Sequence, residues 1–234
     1  MKKVMLSSAM ASMFLAVVGV GTASADMQTV LDDITVGGPS SINAATDMMS
    51  DNADSYWSVT ASGGSFNTIV AELAGFANIN SFGVYQNGMM VELLSGASTL
   101  GDQATLSIKA DGSVYVNLAD TGMDFSGGNV FGYYLSNNDG TFFSDTGLNG
   151  DGVDHMWAYQ GTGDTVQLPL QSAGTWTSNE YILAWEDVWG GGDFDHDDFV
   201  VMVESVEPVP EPATMLLFGA GLAGLAGLRR KVKK

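Results

Sequence analysis

Six carboxylates crowd into one short stretch of this chain: Glu186 and Asp187, then Asp193, Asp195, Asp197 and Asp198. Between the two groups runs Val188-Trp189-Gly190-Gly191-Gly192, and apolar segments border the stretch on both sides. Like charges at this density repel one another unless a cation sits among them. Asp193, Asp195 and Asp197 alternate along the chain, the D-x-D-x-D spacing that lets carboxylate oxygens converge in a tight loop. Calcium takes six to eight oxygens at roughly 2.3–2.6 Å, and it is the ion this pattern implies. The loop is not an EF-hand, because its sixth position holds Asp198 where glycine is needed and no flanking helices are expected. The competing reading is a solvated acidic turn in which Asp198 or Glu186 caps backbone amides. A weaker metal candidate is Asp145, Asn149, Asp151 and Asp154, which are interspersed with glycines. Such loops are also ordinary turns, and this one could instead lend ligands to the first site.

Other chemistries find little support. The chain has no cysteine, which excludes disulfides, thiolate metal sites, cysteine nucleophiles and a lipoprotein anchor. It has no G-x-S-x-G, no H-E-x-x-H and only His155 and His196. A carboxylate pair could run glycoside hydrolysis, but among 27 acidic residues chance pairs are abundant. The expectation is a protein that is not an enzyme. All acidic residues except Glu211 lie between Asp26 and Glu207, where Lys109 is the single basic residue. Nothing there could neutralise phosphates, so nucleic acid is excluded as a partner. Of the five tryptophans, Trp189 beside three glycines is the best candidate to stack on a sugar. That would make the domain a calcium-ordered carbohydrate-binding module acting on exopolysaccharide.

The elements that must carry these loops read as β. Asn87-Gly88 joins expected strands 81–86 and 89–94, and Asp111-Gly112 joins 104–110 and 113–118. Both dipeptides suit two-residue turns whose central positions need positive φ. In the second hairpin Val114, Val116 and Leu118 alternate with Tyr115, Asn117 and Ala119, the period of a half-buried strand. Further strands are expected at 56–61, 68–73, 130–135, 156–160, 181–185 and 199–203. Residues 27–54 read as a strand or two with loops, and no useful helix is expected away from the termini. Short strands with Gly, Asn and Asp turns indicate an all-β domain, an antiparallel β-sandwich or jelly roll.

The two ends read differently. Lys2 and Lys3 precede an apolar run and then Ala23-Ser24-Ala25, the layout of a secretory signal peptide over residues 1–25. Signal peptidase is expected to cut before Asp26. At the far end Pro210-Glu211-Pro212 closes a linker, 208–212. Residues 213–228 follow without a charge, then a basic tail, 229–234, that begins Arg229-Arg230. A helix of that length spans roughly 24 Å, and snorkelling basic residues can make up the shortfall against a bilayer core of about 30 Å. The basic tail stays cytoplasmic by the positive-inside tendency, while the signal peptide sends Asp26 across, so both ends give one orientation.

Residues 209–234 resemble the PEP-CTERM sorting signal, with its Pro-Glu-Pro motif, short transmembrane helix and basic cluster in order. That resemblance implies cleavage near Pro210-Glu211-Pro212 by a membrane-embedded exosortase in a Gram-negative bacterium. The protein would pass through an inner-membrane intermediate before reaching the cell surface or the medium. The stretch from about 125 to 206 resembles the module called domain of unknown function 4114. Glu186-Asp187 match its first acidic pair, Asp193 and Asp195 the next, and Asp198 the last; Asp197 stands where Asn is usual and His196 where an aromatic is common. The resemblance implies a secreted or surface β-domain and brings no catalytic activity. Together these readings give an acidic β-domain over 26–207 in a non-enzymatic, calcium-binding surface or matrix protein, with exopolysaccharide or matrix proteins as partners.

Overall fold

A computed structural model describes residues 26–62, 64–72 and 78–210 of the 234-residue chain. The signal peptide, the apolar segment 213–228, the basic tail, and Glu211 and Pro212 of the sorting motif lie outside the described residues. No helix among the described residues is long and apolar enough to cross a membrane.

Two helices come first, α1 at Met27–Ile34 and a single turn, α2, at Asp51–Asp54. Then follow β1 Trp57–Val59, β2 Ser65–Glu72, β3 Ser81–Gln86, β4 Met89–Leu94, β5 Gln103–Ile108, β6 Ser113–Val116 and β7 Ala119–Asp124. The second half carries β8 Gly132–Ser136, β9 Thr141–Phe143, β10 Met156–Gln160, β11 Thr165–Val166 and β12 Gly174–Thr175. It ends with β13 Glu180–Trp185, β14 Phe199–Glu204 and β15 Val206–Pro208. The protein is mostly β, and every strand pairing is antiparallel.

The seven-stranded sheet runs β10-β13-β14-β2-β5-β6-β7, and a four-stranded sheet runs β4-β3-β8-β9. Two small pairs, β1-β15 and β11-β12, complete the pattern. Side chains alternate across β13, so Tyr181, Leu183 and Trp185 enter one core while Ile182 and Ala184 enter another. The first core is shared with the four-stranded sheet: Phe82 of β3 lies edge-on to Trp185 at 6.2 Å and 5.8 Å from Phe199. The second core is covered by α1 and the segments around Ile42 and Trp176. Burial on both faces explains why β13 and β14 read as unbroken apolar runs rather than alternating ones.

Helix α1 corrects the expectation of strands in this region and of no helix away from the termini. Met27, Val30, Leu31 and Ile34 are buried, the three-and-four spacing of an amphipathic helix. Asp26 caps it by accepting the Thr29 amide at 3.0 Å. The second hairpin also departs from its expected turn. At Asn87-Gly88 both residues have positive φ, 50° and 80°, and Gln86 pairs with Met89 as a two-residue turn requires. At Asp111-Gly112 only Gly112 is left-handed, and the Lys109 amide bonds to the Ser113 carbonyl. The loop is therefore three residues long. Asp111 takes the Ser113 amide on its own carboxylate at 3.1 Å, which holds the tighter turn off.

Gly83 in β3 stands where no side chain fits, because an added Cβ would lie 2.6 Å from the Tyr134 ring. Gly83→Ala is expected to destabilise the fold by about 1–3 kcal/mol through overpacking. Urea unfolding, read as a lower midpoint at unchanged slope, checks this.

Candidate metal centre

The acidic loop is the connection of one hairpin. Trp185, last in β13, pairs with Phe199, first in β14, and every residue between them belongs to the loop. Both strands lie inside the seven-stranded sheet, so the loop's two ends are fixed by paired, buried neighbours. Glu186 and Asp187 leave the sheet before the chain has reached solvent and are 0 % and 1 % exposed. The glycines turn the chain: Gly190, Gly191 and Gly192 all have positive φ. Phe194 and His196 do too, at 61° and 53°. This alternation turns the residues between them, Asp193 and Asp195, to the same side as Glu186.

Glu186, Asp193 and Asp195 converge. Each offers a carboxylate oxygen, and the three lie within 4.8 Å of one another. Two oxygens on opposite sides of an ion, each at about 2.4 Å, stand about 4.8 Å apart, so the group could hold a calcium-sized ion. One Glu186 oxygen accepts the His196 amide at 2.9 Å, while the other is buried without a hydrogen-bond partner. Burial first, then the charges of Asp198, Asp195 and Asp193, push the Glu186 carboxyl up to about 7. Asp195 is pushed up by burial and then by Asp193. The donor set is oxygen only, the chemistry of a hard cation.

The other three predicted ligands are used differently. Asp187 accepts from the Asn80 amide at 2.8 Å, and its own amide donates to Asp198 at 3.2 Å. Asn137 bridges to both the Asn80 side chain and the Asp187 carbonyl. Asp197 is buried with one oxygen unpartnered, and burial followed by Asp195 raises its carboxyl well above the usual range. These residues surround the three converging groups without joining their common focus. His196 is turned into the core, stacked on Trp157 at 3.7 Å, and burial lowers its pKa to about 4, leaving it neutral. Lys109 lies over the Tyr115 ring at 3.7 Å.

Asp145, Asp151 and Asp154 of the weaker set form no such group of three carboxylates among the described residues. Asp145 accepts from the Tyr56 hydroxyl at 2.6 Å and from the Gly147 amide. Asn149 holds both the amide and the carbonyl of Phe143. Asp151 bonds His155 at 3.0 Å and the Gly190 amide at 2.8 Å, so this loop steadies the first one through a backbone contact. Asp154 accepts the Met156 amide.

Trp189 is 42 % exposed, but it is engaged. Its indole N–H donates to the Asp139 carbonyl at 2.8 Å, and its amide donates to the Asp139 carboxylate. Its ring meets Phe142 edge-on at 4.9 Å. Asn80, Asn137 and Asp139 were not singled out from the sequence. Asn80 precedes β3, Asn137 follows β8 and Asp139 lies between β8 and β9 of the other sheet, and no local pattern marks them as partners of residues 186–189.

Residues 124–206 match the family model described as Domain of unknown function (DUF4114). Residues 208–231 match that of the PEP-CTERM protein-sorting motif. A DUF4114 domain is thus followed by a PEP-CTERM sorting motif, which implies an exported protein processed by an exosortase. No curated protein and no solved structure matches the chain.

Near Asp154 and Asp51 a further acid is buried. Asp54 is 1 % exposed, and burial, then Asp154 and Asp51, push its carboxyl up to about 9. Folding therefore takes up a proton at Asp54 between its unfolded value near 4 and about 9. Its contribution is fully favourable below the unfolded value and is lost as pH rises through the folded one. Asp54→Asn is expected to flatten the fall in melting temperature between pH 5 and pH 8, a slope of about 1.4 kcal/mol per pH unit for one proton. Thermal melts of both proteins across that range check it.

Proposed function

We propose that this chain is a non-enzymatic surface or extracellular-matrix protein, exported, sorted by an exosortase, and built around a calcium-binding hairpin loop. The observation that carries the calcium reading is Glu186: fully buried, with one oxygen unpartnered and in one group with Asp193 and Asp195. A bound divalent cation supplies the positive charge that this carboxylate lacks and draws the two aspartates onto it. Support for export comes from the match to the sorting motif, together with the signal-peptide pattern at residues 1–25. In this reading the exported domain is a β-sandwich, its two sheets facing one another across the Phe82–Trp185 contact.

The ion stabilises by mass action, since the unfolded chain has no assembled site. At a free concentration one hundred times its Kd it adds about 2.7 kcal/mol. Calorimetric titration with calcium is expected to show a saturable site and a raised melting temperature that a chelator reverses. Asp193→Ala/Asp195→Ala should lose both responses. Glu186→Gln separates the two roles of that side chain. It should melt higher than the parent without calcium, because a buried charge is gone, and should lose the calcium-induced rise. A parent whose melting temperature ignores calcium would overturn the assignment.

A further inference from the structure

An apolar cavity of about 830 Å³ opens away from the acidic loop, walled by Tyr56, Tyr85, Met90, Phe143, Leu148 and Pro210 among others. No charged residue lines it, although the domain between Asp26 and Glu207 holds all but one of the chain's acidic residues. Met90 and Leu148 are 37 % and 50 % exposed at its mouth. Apolar surface left open within a charged domain marks an interaction site. Two candidate ligands that join no metal group build the wall instead. Asp145 accepts from the Tyr56 hydroxyl at 2.6 Å. Asn149 accepts the Phe143 amide at 2.8 Å and donates to the Phe143 carbonyl at 3.1 Å, which closes the outer edge of β9. Tyr85 lies edge-on to Phe143 at 4.9 Å. Gln86 spends its side-chain amide on the backbone of Gly127 and Gly128. What the cavity offers a visitor is therefore apolar contact.

The position of the cavity names its visitor. The Val209 amide donates to the Tyr56 carbonyl at 2.7 Å, and Pro210, the first residue of Pro210-Glu211-Pro212, is part of the cavity wall. Three steps of extended chain span about 10 Å. An enzyme that cuts near this motif must come up against the cavity mouth to reach its substrate. An exosortase is embedded in the membrane, so the surface it brings to that mouth is apolar too.

We propose that this cavity is a docking site for the exosortase, which seats an apolar part of itself there and so lines up the adjoining motif for cutting. The inference rests on the exosortase reading above and is independent of the calcium reading. The full chain is expressed in a host that carries an exosortase and in one that lacks it, and uncut chain is measured. Met90→Asp and Leu148→Asp are each expected to leave at least tenfold more uncut chain than the parent. Leu170→Asp adds the same charge at a site that is 91 % exposed and outside the cavity, and should match the parent. A parent left whole beside the exosortase would overturn the sorting reading, and this inference with it. A parent that is cut, with both cavity variants cut equally well, would overturn the inference alone. Photo-crosslinking separates lost docking from lost folding. Benzoylphenylalanine placed at Met90 is expected to join the chain to the exosortase, whereas the same probe at Phe194, 55 % exposed on the acidic loop, is not. No adduct from Met90, adducts to lipid alone or to a second copy, or equal yields from both positions would each overturn the docking site.

Discussion

A carboxylate that cannot reach water governs the chemistry of this protein. Glu186 sits where β13 has ended but the buried layer has not, between a sheet on one side and the covering segments on the other. Its strand neighbour Trp185 is pinned to Phe199, so the side chain cannot swing outward without breaking a pair at the centre of the sheet. One oxygen is satisfied by the His196 amide. The other waits on whatever the loop brings, and the loop brings Asp193 and Asp195. Repulsion among these groups is the cost of the arrangement, and it falls on a loop whose two ends are fixed by the Trp185–Phe199 pair inside the sheet.

The surroundings separate the three converging carboxylates from their supports. Asp187, Asn80 and Asn137 form a hydrogen-bonded knot that ties the loop to the other sheet, with Asp187 as its acceptor. Asp139 and Asp151 hold the Trp189–Gly190 end through backbone amides. His196, between two aspartates in the chain, stacks on Trp157 with its Nδ1 3.6 Å from a Glu186 oxygen. Six carboxylates in a row thus divide by role, three facing inward to one point and three spent on the frame or crowded beside it.

Much of this was legible in the sequence. The strands at Ser81–Gln86, Met89–Leu94 and Met156–Gln160 were read with the bounds the structure gives them, because turn residues mark the first two and β-rich composition the third. The acidic loop was readable as a unit because glycines and aspartates alternate in it. Which aspartates share a focus was not readable, since that depends on the left-handed Phe194 and His196, conformations that neither residue type announces. Helix α1 was legible in principle from Met27, Val30, Leu31 and Ile34. The Gly37-Gly38-Pro39-Ser40 that follows is a strong loop signal and obscures it. The short strands β7 and β9 carry no alternating pattern, and only their partners define them. The contacts of Asn80, Asn137 and Asp139 come from topology alone.

The glycine loop is held unevenly, and this bears on how fast an ion exchanges. Its Trp189 end is strapped to Asp139 and Asp151, whereas Asp193 stands in solvent and Asp195 is only half covered. In the proposed calcium site a cation would meet the exposed Asp193 before the buried Glu186. Entry and departure then involve a swing of a few residues, with the sheet left intact. Exchange at the proposed site would then leave the paired strands that carry the loop in place.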